Sequence, residues 1–215
     1  MRIFRQAKRT VQGKMKVDIQ DVLFWMDAIR DSEDRYRTLE SFWKGQVNSK
    51  VWLIDNLEKF LFPNTRNNIV IHGGWNGVLA SLLFNSNIGV KHITSLDIDP
   101  ECEKIARTIN RRQDLEGRFT TVTADMCSYL YDADITINTS CEHITQEQYN
   151  QWLTNVPRHS LIVVQSNNYR DLQEHVNCSD TLQEFEQKAN LKIIFSDTLA
   201  LQKYNRFMII GYKNG

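Results

Sequence analysis

The sequence carries no net charge, since 26 Lys and Arg balance 26 Asp and Glu over 215 residues. The global attraction that drives non-specific binding to phosphate backbones is therefore missing. No apolar run approaches the roughly 20 residues of a membrane-spanning helix; the longest, such as Val78 to Phe84 and Leu161 to Val164, are far shorter. No membrane partner is expected. The start, Met1-Arg2-Ile3-Phe4-Arg5, lacks the apolar core and small-residue cleavage site of a secretory signal, which points to a cytoplasmic location. There is no CxxC pair. The four cysteines, Cys102, Cys127, Cys141 and Cys178, are widely spaced, which argues against a zinc knuckle or a disulfide framework and for reduced thiols. No internal repeat or low-complexity segment is evident.

What is present describes a folded, water-soluble protein: 41% hydrophobic and 24% charged residues, close to globular averages. The length suits one domain with a helical extension. A basic stretch, Arg2, Arg5, Lys8, Arg9, Lys14 and Lys16, reads as a solvated terminus rather than a phosphate-contacting arm. From Asp18 to about Leu61, Val22, Leu23, Trp25, Met26 and Ile29 recur at helical spacing, as do Val51, Trp52, Ile54, Leu57 and Phe60. Pro63 and Asn64 stop the pattern. Residues 1–62 are thus expected to form a cap of two or three helices, with Trp25, Trp43 and Trp52 as packing residues. Residues 63–215 are expected to form the second unit.

Beyond Pro63, short β-rich apolar runs alternate with helical segments, the grammar of a parallel sheet covered by helices. The predicted strands are Asn68 to His72, His92 to Ile98, Phe119 to Thr123, Ile135 to Asn138 and Leu161 to Gln165. The predicted helices are Asn76 to Asn85, Pro100 to Gln113, Gln146 to Thr154 and Thr181 to Ala189. Lys192 to Leu199 and Arg206 to Tyr212 read as a final antiparallel pair. The fold class is α/β: a Rossmann-like, seven-stranded, mostly parallel sheet with an antiparallel C-terminal strand and an N-terminal helical cap.

The first strand runs into His72-Gly73-Gly74-Trp75-Asn76-Gly77 and then directly into a helix. Backbone N–H groups and a helix start so arranged can approach a nucleotide-like ligand, although Gly-Gly turns also serve as plain connectors. About twenty residues on, the second strand ends at Asp97-Ile98-Asp99-Pro100, where a carboxylate can accept hydrogen bonds from ribose hydroxyls. The alternative is that Asp97 or Asp99 caps the next helix. At the end of the fourth strand, Asn138-Thr139-Ser140-Cys141-Glu142-His143 crowds polar groups together. Glu142 or His143 there suits a general base, with helix capping or a structural hydrogen bond as the alternative.

These motifs, in this order from about Asn68 to Asn138, resemble the core of the class I S-adenosylmethionine (SAM)-dependent methyltransferases. The resemblance implies SAM as cofactor, held by His72, Gly73, Gly74, Trp75, Asn76, Gly77, Asp97, Ile98, Asp125, Met126 and Asn138. It places Asp125 at the exocyclic amine and the Met126 backbone at the adenine ring, and it makes Glu142 and His143 the catalytic candidates. Two departures stand at the sulfonium end. Ile71 replaces the usual acid two residues before Gly73, and Trp75 replaces the second glycine. His72 or Asn76 is the candidate substitute for the acid, and Trp75 is a candidate to pack on the cofactor or seal its pocket. The expected function is methyl transfer to an acceptor, a small molecule more readily than a protein or nucleic acid. A homo-oligomer through the N-terminal helices is compatible with the aromatic content there. The alternatives are other SAM chemistry (aminocarboxypropyl transfer, cyclisation or lyase) and a non-catalytic partner subunit. His143, His175, Cys178 and Glu142 carry metal-ligating chemistry but lack the local spacings of a metal motif, so they are read as satisfied loop residues and no metal is assigned.

Overall fold

The computed structural model describes residues 15–214; the basic stretch lies outside them up to Lys14. The chain opens with three helices, α1 (Ile19–Asp31), α2 (Arg35–Glu40) and α3 (Lys44–Leu57), closed by a 3-10 turn at Glu58–Phe60. An alternating series follows: β1 (Asn67–His72), α4 (Val78–Phe84), β2 (Val90–Asp97), α5 (Glu101–Ile109), α6 (Arg111–Leu115) and β3 (Phe119–Thr123). After β4 (Ile135–Asn138) come a 3-10 turn at Cys141–His143, α7 (Gln146–Asn155), β5 (Leu161–Asn167), α8 (Leu182–Ala189), β6 (Leu191–Ala200) and β7 (Asn205–Lys213). No helix among the described residues is long and apolar enough to cross a membrane.

The seven strands lie in the order β3-β2-β1-β4-β5-β7-β6. The first five are mutually parallel, and β7 runs antiparallel to both β5 and β6. Strand order reverses between β1 and β4. At such a switch point the chains leaving neighbouring strands diverge and open a crevice beyond the carboxyl ends, where α/β proteins bind ligands.

Both faces of the central strands β1, β4, β5 and β7 are buried, which explains why they read as near-continuous apolar runs, whereas the edge strand β6 is largely exposed. On one face Ile69, Ile71, Ile137, Val163, Met208 and Ile210 pack with Leu53, Ile54, Leu57 and the apolar side of α4. On the other, Ile162, Val164, Phe207 and Ile209 pack with Tyr149, Trp152 and Phe185 of α7 and α8. The N-terminal helices therefore share the main core. A buried polar clasp also fastens them: Asp21, fully buried, accepts from Asn85 Nδ2 at 2.6 Å and Arg112 Nη2 at 2.9 Å, and Arg112 Nη1 reaches Asp18 at 2.7 Å.

Two expectations need correction. The helix expected over Pro100 to Gln113 breaks at Asn110, whose side-chain amide donates to Ala106 O at 2.9 Å and across to Gly77 O at 3.0 Å. A side chain that competes for backbone carbonyls in this way interrupts a helix. The helix after the glycine turn begins only at Val78, because Gly77 has φ +73°. Trp43 packs between helices, 49% exposed with its ring edge-on to Tyr36 of α2, while Trp25 and Trp52 pack against the core.

Candidate functional site

The glycine turn has a regular left-handed alternation. Gly73, Trp75 and Gly77 have φ of +61°, +46° and +73°. This fixes the register: Trp75 occupies a place that glycine fills without strain, at a cost of roughly 1–3 kcal/mol for a non-glycine residue. The turn is tied to β2 by its backbone. Gly74 N donates to Leu96 O at 2.9 Å, and Trp75 N donates to Asp97 Oδ2 at 2.7 Å. Asp97 Oδ1 accepts from Asp99 N at 3.1 Å. Each carboxylate oxygen thus uses one acceptor direction on the chain and keeps another.

A cleft of about 200 Å³ opens beside Trp75, Asp97, Asp99, Val122 and Thr123. That space includes open solvent, so the cleft is a shallow groove and not an enclosing small-molecule pocket. On its rim Arg37 of α2 pairs with Asp99 and, at 3.3 Å, with Glu101. The Arg37 guanidinium holds the Asp99 carboxyl below its ordinary range. Asp99 also accepts from Glu101 N at 3.0 Å, the capping role weighed for it.

The residues expected at this crevice separate into two sets. His72 does not belong with the turn: its ring lies 4.9 Å from Tyr131 and 5.6 Å from Trp152, fully buried, with neither nitrogen partnered among the described residues. Burial drives its pKa down to about 3, leaving a neutral core imidazole, because β1 turns alternate side chains to opposite faces. Asn76 stays in the turn, 1% exposed, with its amide Nδ2 unpartnered among the described residues. Ile98 projects from the end of β2, 72% exposed. Beyond β3, Asp125 is exposed and Oδ1 accepts from Cys127 N at 2.8 Å. Met126 Sδ lies 3.4 Å from Asn138 Nδ2, and Asn138 Oδ1 accepts from Ser140 N at 2.9 Å. The glycines are packed against the chain: a Cβ on Gly73, Gly74 or Gly77 would meet Ser140, Ser95 or Asn110 within 2.7 Å.

A second constellation sits at the ends of β4 and β5. Glu142, 2% exposed, accepts at Oε1 from Arg206 Nη1 at 2.5 Å and Asn167 Nδ2 at 2.6 Å. Arg206 Nη2 also donates to Thr139 O. Glu142 is therefore not a free base; it is the inner member of a buried ion pair. Its main-chain carbonyl accepts from Val176 N at 2.9 Å and Asn177 N at 3.0 Å, which brings His175 against the turn. The His143 and His175 rings meet edge to face, centroids 4.6 Å apart. Burial holds His143 below its ordinary pKa, against the opposing pull of Glu142, so its ring is neutral near pH 7. Ligating atoms of Glu142, His143 and His175 lie within 4.8 Å of one another. Cys178 is outside that group, its Sγ 3.3 Å from Tyr169 O.

No family model matches the chain, and no curated protein sequence does. Solved structures do. The mitomycin 7-O-methyltransferase MmcR superposes with a TM-score of 0.59 at 16% identity, over 87% of this chain and 60% of that one. The chain has the fold of the class I methyltransferases. Magnesium protoporphyrin IX methyltransferase (ChlM) from Synechocystis PCC 6803, solved with bound SAH, matches at 0.60 and 10% identity over 91% of this chain and 94% of that one. MtNAS in complex with MTA and tNA matches at 0.58 and 14% identity, over 91% and 70%. The chain spans 60% of the length of the mitomycin enzyme.

Within this fold, several residues were missed by sequence reasoning. Arg206 and Asn167 meet because β5 runs two residues beyond the expected Gln165 and pairs Asn167 with Arg206 on β7. Lys50 of α3, half-buried, donates to Gln46 Oε1 at 2.9 Å. Burial first, then the Arg206 charge, draws its pKa down to about 7. The available signal was an arginine near the start of an otherwise apolar strand, since Asn167 and Arg206 lie 39 residues apart in sequence.

Proposed function

We propose that the crevice at the tips of β1, β2 and β3 holds SAM and that the chain transfers a methyl group to a small acceptor over the ends of β4 and β5. The observation that carries this reading is the left-handed turn at Gly73, Trp75 and Gly77 bonded to Asp97 at the switch point. The residues present suit the cofactor. The spare acceptor directions of Asp97 match ribose hydroxyls, exposed Ile98 offers an apolar face to adenine, and Asp125 keeps one oxygen for an amine donor. The buried, unpaired Asn76 amide is a donor for the methionine carboxylate. Ile71 leaves the methionine ammonium without the usual acid, so the grip is weighted towards the nucleoside end.

Bound SAM supplies an electrophilic methyl carbon. What the chain adds is placement: Asp97, Ile98 and Asp125 hold the nucleoside, α2 closes the rim through Arg37, and the Asn138 to His143 segment orients the acceptor. The neutral His143 ring presents a nitrogen lone pair on that side, able to receive a proton as an acceptor hydroxyl or amine becomes nucleophilic. The absence of net charge favours a small molecule over nucleic acid.

The test is product analysis after incubating the protein with SAM and a small-molecule extract. Accumulation of S-adenosylhomocysteine is the expected result. Methylthioadenosine in its place would reject methyl transfer and support aminocarboxypropyl transfer on the same crevice.

A further inference from the structure

The groups at the end of β4 are individually odd for a solvated loop. Glu142 Oε2 is buried with no partner among the described residues, although its sister oxygen carries two strong hydrogen bonds. A carboxylate oxygen left bare inside a protein costs free energy unless something binds it. Within 4.8 Å of a Glu142 carboxylate oxygen are ring nitrogens of two imidazoles, His143 and His175. His175 Nδ1 lies 2.5 Å from Tyr169 O, which can only be an acceptor, so Nδ1 carries the proton and Nε2 keeps the lone pair.

From these contacts we infer that Glu142, His143 and His175 form a binding site for a divalent first-row transition cation. Two atoms bound about 2.1 Å from one ion stand roughly 3–4 Å apart, so donors already within 4.8 Å close on a cation by small side-chain rotations. His143 is the most accessible of the three, though its ring is partly desolvated by its packing on His175. The outer contacts match what metal ligands need. A main-chain carbonyl fixes the tautomer of one imidazole, and Arg206 with Asn167 orients the carboxylate while leaving the second oxygen free. Two imidazoles with one carboxylate suit zinc, manganese, iron or cobalt better than magnesium, which prefers an all-oxygen shell.

The charge balance tempers the affinity. Arg206 neutralises Glu142, and the other acid felt at His143 is Glu174, so the site is less anionic than its ligands suggest. Three protein donors also leave coordination positions open, as in catalytic rather than structural sites. They lie on the side where the acceptor is proposed to sit, so a bound cation would hold an acceptor oxygen and lower its pKa, replacing His143 as the agent of proton loss.

The experiment is a titration of tag-free, chelator-stripped full-length protein with Co²⁺, read by visible absorption and by calorimetry. The site predicts one equivalent bound, with His143→Ala and His175→Ala each weakening binding by at least about tenfold. Both replacements lie outside the buried core, and thermal unfolding checks that each variant folds. Binding by the wild type no tighter than by the double variant would overturn the site. Glu142→Gln provides a third arm: it keeps an oxygen for Arg206 and removes the carboxylate charge, so it too should weaken Co²⁺. The titration contains no SAM, so its failure and failure of the cofactor reading are separate outcomes.

Discussion

The two ends of the crevice are built from different material. At β1 and β2 the structure is set by main-chain geometry: a left-handed turn whose amides bond back to β2 and to Asp97, leaving the Asp97 carboxylate as the group with spare acceptor directions. At β4 and β5 the working groups are side chains: a buried carboxylate, a guanidinium and two imidazoles. Backbone sites read shape and tolerate sequence change, whereas side-chain sites are set by residue identity. In the proposed reading the first end meets the cofactor and the second the acceptor.

The sharpest way to break the comparison is at the ion pair. Arg206→Ala leaves Glu142 charged and buried without its partner, and should cost about 3–5 kcal/mol of stability in denaturant unfolding. A loss under about 1 kcal/mol would mean that the second end is less enclosed than described. At the first end, Asp97→Ala should weaken SAM by roughly 1–3 kcal/mol, the loss of hydrogen bonds to a charged acceptor. The fold should survive, since Trp75 N and Asp99 N can turn to water at a partly open rim.

His72 tests what lies beneath the turn. Its folded pKa of about 3 lies below the unfolded 6.5. The unfolded chain therefore binds the extra proton, and the neutral ring's contribution is complete above about pH 6.5. It falls away as pH drops towards 3. By about pH 5 the loss reaches about 2 kcal/mol, and His72→Phe should abolish that slope in unfolding measured against pH. The smallest effect concerns Trp75. The glycine variant should be more stable than the alanine variant by about 1 kcal/mol, because both lose the indole while alanine alone keeps the left-handed strain. Equal stabilities in urea would show that the turn relaxes.

Much of the first end was legible in the chain. The succession of strands along the chain, the glycine turn and the position of Asp97 at the end of β2 follow from apolar runs, turn residues and spacing, which are local signals. Asn110 escaped because its side chain breaks a helix to reach a turn 33 residues away. His72 was misplaced because adjacency to the glycines says nothing about which face of β1 a side chain takes. The pairing of Glu142 with Arg206 spans 64 residues and exists only once β7 returns beside β5. Side-chain constellations assembled by distant strands leave little trace in local pattern, whereas backbone sites leave glycines.

Calorimetry with SAM and S-adenosylhomocysteine tests the central claim most directly. The account predicts saturable binding to the wild type with a dissociation constant below about 1 mM, weakened in Asp97→Ala. Binding weaker than about 1 mM for both ligands, or an affinity indifferent to Asp97, would contradict it.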